Sequence, residues 1–138
     1  MTMEKHFLNP PELPNWEQSF SQIVTVSSGS SKTIYLSGQV AMDQHNRLIG
    51  ECDLFSQATQ AFQNLAKALV SVGATTQDVV KLTIYVKDYQ LADANRVSEA
   101  FRNAFPHKNL PASTWLGVQS LALDGLLIEI DAIAVMEV

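Results

Sequence analysis

The stretch from Leu126 to Val138, LLIEIDAIAVMEV, constrains this chain more than any other part of it. Its alternate positions Leu126, Ile128, Ile130, Ala132, Ala134 and Met136 are all apolar, the period-two signature of a strand with one face on a core. The opposite face reads Leu127, Glu129, Asp131, Ile133, Val135 and Glu137. A solvated face rarely keeps so many apolar residues, and a core face rarely takes two acids. The mixture points to a face buried by something other than the chain's own core, with a carboxylate held in a cleft. Glu129 is therefore the first candidate for a functional residue. A second β-rich run, Ser113 to Leu121, carries Trp115, Leu116 and Val118 and lies across the turn Leu123-Asp124-Gly125. It reads as the other half of a closing strand pair.

Upstream, residues 1–17 hold Pro10, Pro11 and Pro14 and read as an extended arm rather than a regular element. Phe20 to Ser27 alternates, Ser27 to Ser31 is turn chemistry around Gly29, and Thr33 to Val40 completes a hairpin. Gly38 lies inside that second strand, where glycine marks a bulge or a close approach by another group. Asp53 is a candidate N-cap for a helix whose stripe is Leu54, Ala58, Phe62, Leu65, Leu69 and Val72, stopped by Gly73. A third strand, Val79 to Lys87, places Val80, Leu82, Ile84 and Val86 on one face. A second helix follows Asp88, with the stripe Leu91, Ala94, Val97, Phe101 and Ala104, and ends before Pro106.

The order β-β-α-β-α-β-β implies an α+β layer protein, a mixed sheet with two helices on one face. Two helices shield only that face. The other would still expose Ile23, Leu127, Ile133 and Val135, more apolar surface than a soluble monomer carries, so self-association is expected. No Pro/Ser/Gly-rich linker divides the 138 residues, and a single domain over 1–138 is expected. A net charge of −5 with scattered basic residues argues against a nucleic-acid surface. Cys52 is the sole cysteine, which rules out an intrachain disulfide or a thiolate zinc cluster. His6, His45 and His107 have no metal-ligand spacing, so no metal is expected. The N-terminus has no apolar segment of signal-peptide type, and the apolar C-terminal run is broken by Glu129 and Asp131. A cytoplasmic protein with no membrane partner is the expectation.

Several short stretches then occur together and in order: Ser37-Gly38-Gln39, Ile84 to Asp88, Asn95 followed by Glu99-Ala100-Phe101, Phe105-Pro106, Leu110-Pro111-Ala112, and Ile128 to Ala134. From about Asn15 to the C-terminus this pattern resembles the YjgF/RidA (Rid) superfamily, also labelled endoribonuclease L-PSP. The resemblance implies a chorismate-mutase-like fold, assembled as a homotrimer with a barrel-like core and small-molecule pockets between subunits. It implies no cofactor. Archetypal members hydrolyse 2-imino acids, the imine and enamine products of pyridoxal-phosphate enzymes, to 2-oxo acids and ammonia. In them an arginine after the Pro-Ala step grips the substrate carboxylate, and a glutamate of the last strand orients the attacking water.

The chain departs from that pattern at the clamp. Pro111-Ala112 is followed by Ser113, and Trp115 stands where a cysteine is frequent; Phe20 replaces the tyrosine of the N-terminal pocket motif. Glu129, Gly38 and Asn95 remain at matching positions. By resemblance, then, Glu129 is the candidate for water positioning, and Phe20, Gly38, Asn95, Ser113 and Trp115 are candidate ligand contacts. Each has a plainer reading. Glu129 would serve as an intersubunit salt-bridge partner, Trp115 and Phe20 as core, Asn95 as a helix-surface hydrogen bonder and Ser113 as a small residue leaving room. Three functions stay open: a Rid enzyme acting on a small reactive metabolite without the usual arginine, a non-catalytic binding or regulatory trimer, and a ribonuclease. The ribonuclease is disfavoured by the acidic charge and by the lack of an acid–base pair.

Overall fold

The computed structural model describes residues 2–138. Six strands form one mixed sheet: β1 (Glu4–Leu8), β2 (Ile23–Ser28), β3 (Ser31–Gln39), β4 (Val79–Lys87), β5 (Ala112–Val118) and β6 (Ile128–Glu137). Their spatial order is β1-β2-β3-β6-β4-β5. Helices α1 (Leu54–Ser71) and α2 (Ala94–Ala104) cover one face. No helix among the described residues is long and apolar enough to cross a membrane.

β6 is a central strand, hydrogen bonded to β3 and β4, and its alternation is realised residue by residue. Ile128, Ile130, Ala132 and Ala134 are buried under the helices, while Glu129, Asp131, Ile133 and Val135 turn to the outer face. Asp53 caps α1 by accepting from the Ser56 amide, and Gly73, at φ +84°, follows the helix in the left-handed conformation expected of a stop. Phe62 on α1 meets Phe101 and Phe105 at centroid distances of 6.1 and 6.0 Å, which locks the two helices together over the sheet.

Several expectations need correction. The arm is not wholly irregular: Glu4–Leu8 pairs antiparallel with β2. Four of its five side chains are exposed, so it carries no burial pattern to be read in sequence. Ile23 is fully buried in the core rather than exposed on the outer face. Both sides of β2 hold β-branched residues, and only the register Ile23↔Leu36 and Thr25↔Ile34 decides which side is inward. Phe20 precedes β2, in a turn where the Ser19 and Phe20 amides both donate to the Trp16 carbonyl. A register shift between Val79 and Lys81 turns Val79 inward and leaves Val80 exposed. Leu91 is 87% exposed in a 3₁₀ turn, and α2 begins only at Ala94.

The largest difference concerns the closing strands. β5 runs parallel to β4, and β4 separates it from β6. The segment with the Leu123-Asp124-Gly125 turn is thus a crossing loop, not a hairpin.

The outer face remains rich in apolar groups. Register places Phe7, Val24, Tyr35 and Ile133 in one row across β1, β2, β3 and β6. Phe7 is 65% exposed and Tyr35 47%.

Candidate functional site

The site is built where β3 loses its regular register. The shift between Leu36 and Gln39 bulges the strand at Gly38, so its backbone comes up beside Glu129 on β6. A Cβ on Gly38 would collide with the Glu129 carboxylate and lie 2.8 Å from Glu129 Cγ. Glycine here answers to that approach and not to backbone conformation, which is not left-handed; any larger residue would make the Glu129 side chain move. Glu129 thereby stands in a cleft of about 320 Å³ lined by Trp16, Ser19, Phe20, Gly38, Val40, Ala122, Leu123, Leu126 and Glu129.

Two buried amides on α1 hold the walls of this cleft. Gln57 Nε2 donates to the Gly125 carbonyl and Gln57 Oε1 accepts from the Leu127 amide, both at 2.8 Å. This pair of hydrogen bonds fixes the loop that brings Leu123 and Leu126 to the cleft and holds Leu127, the residue just before β6 and two before Glu129. Two turns along the helix, Asn64 Nδ2 donates to the Val40 and Met42 carbonyls, each at 2.8 Å, and ties down the opposite wall. A third pair, Gln39 Nε2 donating to Gln22 Oε1 at 2.9 Å while Gln22 Nε2 donates to the Pro14 carbonyl at 3.0 Å, anchors the segment that carries Trp16 and Phe20. Burial of so many amides is tolerated because their polar groups find partners.

Electrostatically the cleft is one-signed. Burial, and then the negative charge of Asp131, raise the Glu129 pKa above the usual carboxylate value. Asp131, two residues along the same face, accepts a hydrogen bond of 3.0 Å from the Tyr85 hydroxyl. Burial and that bond push the Tyr85 phenol up. Asp131 is thus engaged within the chain, whereas no ion pair or hydrogen bond of the described residues engages Glu129.

Of the residues singled out in sequence, Phe20, Gly38 and Glu129 meet in the cleft. Asn95 lies exposed on the first turn of α2. Ser113 and Trp115 belong to the edge strand β5, where they pair with Leu82 and Ile84. Paired residues share a face, so both lie on the helix-covered side, while Glu129, opposite Tyr85, lies on the other. Trp115 Nε1 donates to Ser113 Oγ at 3.1 Å. Within one chain, therefore, Ser113 and Trp115 do not join Glu129. Trp16, Leu123, Gln57 and Asn64 went unnoticed in the sequence. The one available signal was that Gln57 and Asn64 interrupt the apolar stripe of α1, each next to a buried residue of it.

Comparison with known proteins places this geometry in context. A family model described as endoribonuclease L-PSP matches residues 12–136. The rat 2-iminobutanoate/2-iminopropanoate deaminase is 36% identical over 117 residues, spanning 85% of this chain and 80% of that protein. The human protein of the same name is 34% identical over 116 residues, spanning 84% of this chain and 79% of its own. Among solved structures, RidA from an Antarctic Psychrobacter superposes with a TM-score of 0.80 at 26% identity, covering 95% of this chain and 99% of that one. With the sheet, the two helices and nearly the whole length in agreement, the chain belongs to the YjgF/RidA (Rid) family, the endoribonuclease L-PSP family.

Proposed function

We propose that the chain is a cytoplasmic, homotrimeric Rid protein that binds and acts on a small imine or enamine metabolite in a cleft between subunits. We further propose that it belongs to an arginine-less branch with weak 2-imino acid deaminase activity. The observation that carries the reading is the partly buried Glu129 carboxylate facing Gly38 in a cleft with Phe20. The relatives named as deaminases supply the reaction class. Trimerisation is supported by the apolar row Phe7, Val24, Tyr35 and Ile133, which two helices on the far face leave uncovered. In such an assembly a neighbour's β5 would bring Ser113 and Trp115 to the rim of the cleft, with Asn95 as an outer hydrogen bonder.

In that reaction water adds to the C=N carbon while the ionised Glu129 takes the water proton. The proton passes to nitrogen to give a carbinolamine; Glu129 then takes the proton of its hydroxyl and returns it to the amine, the C–N bond breaks and ammonia leaves, giving a carbonyl product. No cofactor is needed. Ser113 offers a short neutral hydroxyl where the family's arginine would pair with a substrate carboxylate. Loss of such a bidentate contact, about 2–4 kcal/mol, costs about thirtyfold to a thousandfold in rate.

The test couples the protein to an amino-acid oxidase that releases 2-imino acids and follows 2-oxo acid and ammonia. We expect turnover about a hundredfold below the rat deaminase, and partial recovery in Ser113→Arg. Turnover equal to that enzyme overturns the reading. A second reading, a non-catalytic binding or regulatory trimer, is favoured by that same serine. It predicts ligand binding with no turnover of any imine. The ribonuclease function in the family's older label is the weakest of the three, given the net charge of −5.

A further inference from the structure

We infer that the Glu129 cleft selects small planar ligands that present N–H donors, an amidinium above all and a primary amide next, and that it rejects carboxylates. The inference rests on the reading of the cleft as a ligand site and adds the chemical class it takes. A carboxylate has lone pairs for about four hydrogen bonds. Glu129 is half-buried, yet among the described residues no donor is bonded to it and no cation is paired with it. Its charged neighbour is Asp131, of the same sign, whose Oδ2 is already held by Tyr85. The cations on the adjoining strand do not neutralise it. Lys81, opposite Ile133, is bonded to Thr114 Oγ1 at 2.9 Å, and Lys87 makes no ion pair with Glu129.

The half-buried, unpartnered acceptor therefore asks for a donor from the ligand, while a ligand carboxylate would meet like charge with no cation to offset it. The walls point the same way. Trp16 and Phe20 supply flat aromatic surface and Leu123 an apolar one, so a planar cation gains stacking and cation–π attraction as well. Gly38 removes the one side chain that would fill the space beside the carboxylate.

Benzamidine, benzamide and benzoate share size and shape and differ in the charge and donors of one group. Each is titrated into the full chain at pH 8, with the Gly38 amide shift in NMR reporting occupancy of the cleft and sedimentation reporting the assembly. We expect benzamidine to bind about tenfold or more tightly than benzoate, with benzamide between them. Glu129→Gln should bring the three within about threefold of one another. Benzoate binding tightest, or an unchanged order in Glu129→Gln, overturns the inference, as does an intact protein that binds none of the three. A trimer preferring benzoate refutes the ligand class and leaves the assembly standing. A monomer preferring benzamidine through Glu129 does the reverse.

Discussion

Gly38 and Glu129 occupy adjoining strands so closely that a single added Cβ would overlap the carboxylate and come within 2.8 Å of Cγ. The bulge in β3 and the acid on β6 are two parts of one feature. The strand gives up regular pairing there, and the space gained holds the head of Glu129 at the cleft.

Gly38→Ala should accordingly force Glu129 out of its rotamer. We expect a loss of about 1 kcal/mol, in the range for overpacking, that disappears in a Glu129→Ala background. Denaturant unfolding of the four proteins of that cycle measures the coupling. Equal losses in both backgrounds would mean that Gly38 answers to something other than Glu129.

The raised pKa of Glu129 has a stability consequence. Between its unfolded and folded pKa values the native state holds more protons, so stability falls as pH rises through that interval. The cost is absent below the ordinary carboxylate range and complete above the folded value. Glu129→Gln should raise Tm at pH 7.5 and give no advantage at pH 3.5. A mutant less stable than the parent at pH 7.5 would mean that a favourable partner holds the ionised carboxylate.

Gln57 is the clamp of the cleft's far wall. Gln57→Ala removes two part-buried hydrogen bonds made by a buried side chain and leaves the Leu127 amide without its partner, which should cost about 1–3 kcal/mol. Exchange of the Leu127 amide should accelerate more than that of β4 amides. Uniform acceleration would show global destabilisation in place of a loosened loop.

The assembly is tested on the outer face. Ile133→Asp places a charge beside Tyr35, Val24 and Phe7 in the register row, and an interface there would be disrupted because the carboxylate must be desolvated, a cost that Lys81 across the pair offsets only in part. Sedimentation should find a trimer for the parent and smaller species for the mutant. A trimer unaffected by Ile133→Asp would place the interface elsewhere.

The sequence by itself determined what is local. The alternation from Ile128 to Val135 settled which residues of β6 face the core, Asp53 and Gly73 marked the start and stop of α1, and Gly38 announced a close approach. Each is decided by side chains a few residues apart, through pleat, capping and backbone conformation, so each is written in a short window. Only the tertiary structure decided what depends on partners far along the chain. The inward side of β2 depended on its register with β3, and the inward turn of Val79 on a bulge against β6. The separation of β5 from β6 required β4 to insert between them. The cleft itself joins Trp16, Gly38, Leu123 and Glu129 through amide clamps from Gln57 and Asn64. Those bonds close long loops and involve polar residues within an apolar stripe, where periodicity carries no information about what a buried amide will hold.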